Sequence, residues 1–163
     1  MTKLPIKKYR GFTLIEMLVV VSIIGILAAI GTISFTSSQK QARDTQRKSD
    51  LKQYQSSLES FANKNDWLYP MWASASSPNF NSLCSVLGIT TSCPFDPKYN
   101  ETVPDPVFPQ YGYQTDGSLN NFGATATKYI LWAKLENASK YWIICSSGSV
   151  FSNDSKPTIA TCQ

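Results

Sequence analysis

Glu16 is the only ionisable side chain between Phe12 and Phe35, and it is the fifth residue past the bond joining Gly11 to Phe12. A carboxylate inside so apolar a run is expensive to hold in hydrocarbon and ordinarily has a partner of opposite charge. The natural partner is an α-ammonium at Phe12, which exists only once the Gly11–Phe12 bond has been hydrolysed. Were that bond cut, two pieces of chemistry would go together: a peptide cleavage on the charged side of the apolar run, and neutralisation of Glu16 by the amine that the cleavage creates. A secretory signal peptide is cut on the far side, beside small residues, and its apolar region is discarded. A cut after Gly11 would instead leave the apolar helix on the mature chain.

The elements around this junction have to present it at a membrane face. Lys3, Lys7, Lys8 and Arg10 all precede it, and they account for the whole net charge of +4. Basic residues next to an apolar span favour the cytoplasmic side, so the N-terminus stays inside and the rest is exported. Twenty-four helical residues, 12–35, reach roughly 36 Å, enough for a hydrocarbon core of about 30 Å. Thr13, Ser22, Thr32 and Ser34 can return their hydroxyls to the helix backbone. Gly25 and Gly31 are its weak points, each worth about 1 kcal/mol against Ala. No proline lies between Pro5 and Pro70.

Past residue 36 the pattern turns amphipathic. Leu51, Tyr54, Leu58 and Phe61 step by three, four and three, forming one stripe to be covered by the rest of the chain. A short coiled coil over 40–62 is the alternative. Asp44 and Lys48 have the favourable i,i+4 order. Nothing breaks the helix before Asn63-Lys64-Asn65-Asp66, so one helix of about 50 residues is predicted.

The run Arg10-Gly11-Phe12-Thr13-Leu14-Ile15-Glu16, followed by Met17-Leu18-Val19-Val20-Val21, resembles the signal of type IV prepilins and type II secretion pseudoprepilins. The resemblance implies that a prepilin peptidase removes residues 1–11 and that Phe12 is N-methylated, which leaves its amine charged. It implies a filament of identical subunits in which Glu16 meets the Phe12 ammonium of a neighbour. The partners expected on that basis are the peptidase, a pilus or secretion assembly machinery, and membrane lipid before assembly. The location is a single-pass inner-membrane precursor with its N-terminus inside, then an extracellular or periplasmic filament. The implied fold is α+β: a long N-terminal helix packed on a small antiparallel sheet. Its segments are the leader 1–11, the transmembrane half 12–35, the amphipathic half 36–64 and the head 65–163.

In the head, 65–110 reads as loop punctuated by proline, with a short helix around Asn81–Leu87. Strand candidates follow at Tyr111–Thr115, Lys128–Glu136, Lys140–Cys145 and Ser149–Ser152. Lys128–Glu136 is apolar on both faces, as a central strand would be. Cys84, Cys93, Cys145 and Cys162 all lie in the exported part and suggest two disulfides. Three pairings are open. Cys84–Cys93, closing a small loop, and Cys145–Cys162, tying down the tail as in many pilins, are favoured. A zinc site is disfavoured, because there is no His and no CxxC pair.

Zero His also removes the commonest general base, and no nucleophile motif or phosphate loop is present. No enzyme activity, cofactor or metal is expected. Asp96, Asp105 and Asp116 read as loop carboxylates, with a Ca²⁺ site the lesser alternative. Trp67, Trp72, Trp132 and Trp142 read as packing residues, an adhesive or base-stacking surface being the other option. Asn100, Asn137 and Asn153 head N-x-S/T triplets. The reading is thus a pilus-like filament subunit. A type II secretion pseudopilin is the alternative, and a membrane-anchored binding module the weakest. Nucleic acid is not an expected partner unless the filament serves DNA uptake.

Overall fold

A computed structural model describes residues 11–73, 80–90, 93–99 and 111–162, apart from the side chains of 31–34. The leader's Lys3, Lys7, Lys8 and Arg10, and also Asn100 and Asp105, lie outside the described residues. Two compact units divide the chain, Met1–Gln39 and Lys40–Gln163.

Helix α1 spans Leu14–Ala62, 49 residues, so Gly25 and Gly31 do not interrupt it. In the first unit its described side chains are all exposed. In the second, Leu51, Tyr54, Leu58 and Ala62 are fully buried. Phe61 is only partly buried, and Ala62 takes the fourth place of the stripe. Arg47, also fully buried, extends the same face one turn back. A stripe at this spacing covers one side of a helix, and the chain's own sheet covers it.

That sheet has four strands in the order β2–β4–β5–β6, all antiparallel: β2 Gly112–Thr115, β4 Tyr129–Lys134, β5 Tyr141–Cys145 and β6 Val150–Asn153. Tyr113, Tyr129, Leu131 and Ile144 belong to the core cluster that contains the helix stripe. Ile130, Trp132, Ile143 and Cys145 point the other way, as period-two alternation requires. Phe151, with Ile159 and Cys162 of the short 3₁₀ turn Ile159–Cys162, packs on them. Both faces of β4 are therefore buried, which accounts for its uninterrupted apolar sequence. Gly112 lies opposite Trp132, and a Cβ there would overlap the indole.

Two strands depart from the sequence expectation. β1 (Tyr69–Trp72) falls inside the stretch read as loop, and β3 (Asn120–Ala126) is polar and contains Gly123. They pair with each other, antiparallel and with irregular register, as a separate ribbon. Proline is tolerated in such an edge position, and it is Pro70 that disguises β1. Asp116 does mark a turn, but the chain leaves it for β1's partner strand instead of folding back on β2. Helix α2 covers Phe80–Leu87 and buries Phe80, Leu83 and Cys84.

Candidate functional site

The N-terminal junction is built on the first turn of α1. Gly11, Phe12 and Thr13 precede the helix, and Phe12 is 84% exposed. Thr13 donates to Glu16 Oε2 twice, from its backbone N–H at 2.8 Å and its hydroxyl at 2.7 Å. Glu16 N–H is 3.3 Å from Thr13 Oγ1. This reciprocal pairing is a capping box: two amides at the helix start that lack intrahelical acceptors are satisfied. Thr-Leu-Ile-Glu is the sequence signature of that device, so Glu16 has an intramolecular partner beside the Phe12 amine expected from the sequence. The carboxylate thus has an intramolecular seat and sits in the positive end of the helix macrodipole.

The described side chains of the first unit are exposed, among them Leu14, Ile15, Leu18, Ile23, Leu27 and Phe35. The best 18-residue stretch has mean hydropathy 2.6, so α1 is long and apolar enough to cross a membrane. Ser22 returns its hydroxyl to Val19 O at 2.8 Å, which removes its polar penalty. Thr32 and Ser34 lie outside the described side chains. An apolar surface of this extent does not persist in water; it marks a membrane or protein contact.

The second half of α1 presents the opposite situation. Arg47 grips Asp96 with two bonds, Nε to Oδ2 at 2.7 Å and Nη2 to Oδ1 at 2.9 Å. Its Nη1 reaches Asp44 and Glu136, each at 2.8 Å. Arg43 holds Glu136 bidentately at 2.7 Å, and Lys98 approaches it at 3.3 Å. Asp44 also accepts the backbone N–H groups of Glu136 and Asn137. Three cations thus balance three carboxylates across α1, the 93–99 segment and the turn after β4. Arg43's two parallel hydrogen bonds, with Arg47 behind them, hold the Glu136 carboxyl at about 2 against the desolvation that would raise it. Asp44 does not pair with Lys48, whose ammonium lies 4.4 Å from the Trp142 ring centroid.

Further along α1, Tyr111 donates to Asp50, and Tyr69 and Tyr129 both donate to Glu59. Burial first, then Glu59, pushes the Tyr69 hydroxyl up to about 12. Disulfides join Cys84 to Cys93 and Cys145 to Cys162, so all four cysteines are used. The first ties α2 to the segment that carries Asp96. The second ties the tail over the outer face of the sheet. Asp116 accepts from Thr127 and Lys128 N–H groups and from the Thr127 hydroxyl. Asp96 and Asp116 are therefore engaged within the protein, and no cluster of three metal-binding side chains occurs among the described residues.

The family model for the prokaryotic N-terminal methylation motif matches residues 6–32. The chain is similar to the type IV major pilin protein PilA of Myxococcus xanthus (strain DK1622), at 44% identity over 57 residues. That alignment covers 35% of this chain and 26% of the relative, about a quarter of its length. No solved structure matches. With the methylation motif across the Gly11–Phe12 junction and an apolar helix behind it, the chain is similar to type IV pilins over about a third of its length.

Proposed function

We infer that the chain is a structural subunit of a type IV pilus-like filament and not an enzyme. It is inserted as a single-span precursor with residues 1–11 inside, cut by prepilin peptidase after Gly11, methylated at Phe12 and polymerised by pilus machinery through residues 12–35. Residues 36–64 carry the head, 65–163, at the filament surface. The observation that carries this reading is the exposed apolar face of α1 behind a Gly/Phe junction, with one carboxylate a turn inside it. Copies of the same helix offer each other the burial that water denies, at about 25 cal/mol per Å² of apolar surface.

Glu16 then acts by exchange. Packed among apolar helices and away from water, its carboxylate gains from a charge-assisted bond to the Phe12 ammonium of a neighbouring subunit, which fixes axial register. The Myxococcus relative is named a type IV major pilin, which accords with a pilus subunit; a pseudopilin of a type II secretion system is the alternative. Replacing Glu16 with Val tests the assembly role. The variant should insert in the membrane at the wild-type level while surface filaments, sheared and weighed, fall to a small fraction. Undiminished filaments would remove Glu16 from assembly.

A further inference from the structure

The two disulfides of the second unit sit in different surroundings. Cys145 is 1% exposed within β5, clustered with Ile130, Trp132 and Ile143, and Phe151 and Ile159 pack on them. Cys84 and Cys93 instead line a cavity of about 430 Å³ beside α2, together with Phe95 and the exposed Asn81, Ser85 and Thr90. Cavities of that size admit small molecules. Cys84 is 2% exposed and Cys93 only partly buried, so Cys93 is the sulfur within reach. The Tyr54 hydroxyl lies beside the bond, 3.3 Å from the Cys84 sulfur and 3.2 Å from that of Cys93. It donates to Pro94 O at 2.7 Å. Burial first, then Asp50, pushes the Tyr54 hydroxyl up, so it keeps its proton.

Residues 93–99 belong to no helix or strand. Side chains hold them to the rest of the unit: Tyr54 at Pro94 O, Tyr111 at Phe95 O, Arg47 at Asp96, and Lys98 at Glu136. The disulfide is their covalent tie to α2. The charges divide in a way that lets this segment leave. Asp96 and Lys98 both belong to it and cancel each other. Arg43, Arg47, Asp44 and Glu136 stay behind, and they cancel too. Arg47 keeps Asp44 and Glu136, each at 2.8 Å, and Arg43 keeps both of its bonds to Glu136. Stripping a buried ion of every partner is what makes such networks costly to break, and that does not happen here.

We propose that Cys84–Cys93 is a reducible latch: a dithiol entering the cavity opens it while the head stays folded, and opening frees residues 93–99, with Asp96, from α1. One thiolate of the dithiol attacks the Cys93 sulfur to form a mixed disulfide, and the Cys84 sulfur leaves as a thiolate. The Tyr54 hydroxyl turns from Pro94 O to donate to that thiolate, a charge-assisted bond that eases its departure. The second thiolate of the dithiol then closes on its own sulfur in the mixed disulfide and releases Cys93. Cys84 and Cys93 end as thiols, with the two protons the dithiol gave up, and the dithiol ends as a disulfide, two electrons poorer. With Tyr54 drawn away, Pro94 loses its bond. No step of filament assembly enters the proposal.

The test incubates the full chain, in detergent micelles without denaturant, with increasing dithiothreitol, then alkylates the freed thiols and maps them by mass spectrometry. Cys84 and Cys93 should be labelled at least about tenfold faster than Cys145 and Cys162. Hydrogen exchange at the amides of residues 93–99 should rise about tenfold or more on reduction, with Leu51–Ala62 and β4 still protected. Tyr54→Phe keeps the ring and loses the donor, so it should slow the labelling; loosening alone would speed it. The chain carrying both Cys84→Ser and Cys93→Ser should fold and show the fast exchange without dithiol. The proposal is overturned if Cys145 and Cys162 are labelled as early, or if all four resist until the circular dichroism of the fold is lost. Protection that persists at 93–99 once Cys84 and Cys93 are free overturns it too. So does a doubly substituted chain that cannot fold, or a Tyr54→Phe chain reduced as fast as wild type.

Discussion

The two parts of α1 solve the same physical problem in opposite ways. From Leu14 to Gln39 the described side chains face outward, and the one charge, Glu16, is met only by Thr13. From Lys40 to Ala62, Asp44, Asp50 and Glu59 all find partners in the head, and Leu51, Tyr54 and Leu58 are fully buried by it. The difference is one of completion. The later half is finished by its own chain and fixes where the sheet sits; the earlier half can be finished only by lipid or by other molecules. Substitutions in the two halves should therefore separate stability from assembly.

The largest effect on stability is expected at Arg47. Arg47→Met leaves Asp44, Asp96 and Glu136 crowded with only Arg43 and Lys98 nearby, and breaking a buried network of this sort costs about 3–5 kcal/mol. Urea unfolding of the detergent-solubilised chain, followed by near-ultraviolet circular dichroism, reads that loss. Glu16→Val should leave the same curve unmoved. Next comes the tail: Cys162→Ser releases it from β5 and should cost about 2–4 kcal/mol. Limited proteolysis should then cut beyond residue 153.

Acid sharpens the comparison by a smaller amount. Glu136 titrates lower in the folded chain than in the unfolded one, so its contribution is present above its ordinary value of 4.5. It is lost as pH falls toward about 2. Urea midpoints should therefore decline through that window, and the Glu136→Gln variant should start lower and decline less. The smallest effect is expected at the exposed pair Lys140–Asp154, where Asp154 is 83% exposed. Asp154→Asn should change stability by no more than about 0.5 kcal/mol.

The long helix, the apolar span and β4–β5 were legible because periodicity and length carry those signals directly. The ribbon of β1 and β3 was not. Pro70 masks β1 and Gly123 weakens β3, and only a partner distant in sequence makes either one a strand. The charge network was invisible for a related reason. Asp44 and Arg47 lie on one helix in plain view, but Asp96 and Glu136 are 49 and 89 positions beyond Arg47. Read locally, they look like ordinary loop and strand-end carboxylates. The capping box is legible as Thr13-x-x-Glu16, but the same carboxylate also fits an α-ammonium partner, and sequence alone does not rank the two. The four tryptophans looked equivalent in sequence; left-handed backbone at Asp66 and Trp67 sets one of them apart.

Everything said of the earlier half rests on α1 surviving processing with its apolar face intact and being enclosed by copies of itself. Mass spectrometry of the subunit recovered from assembled, sheared filaments tests this most directly. The account predicts a chain that begins at Phe12, one methyl group heavier than its sequence. A subunit that begins beyond residue 35, or one that keeps residues 1–11, would contradict it.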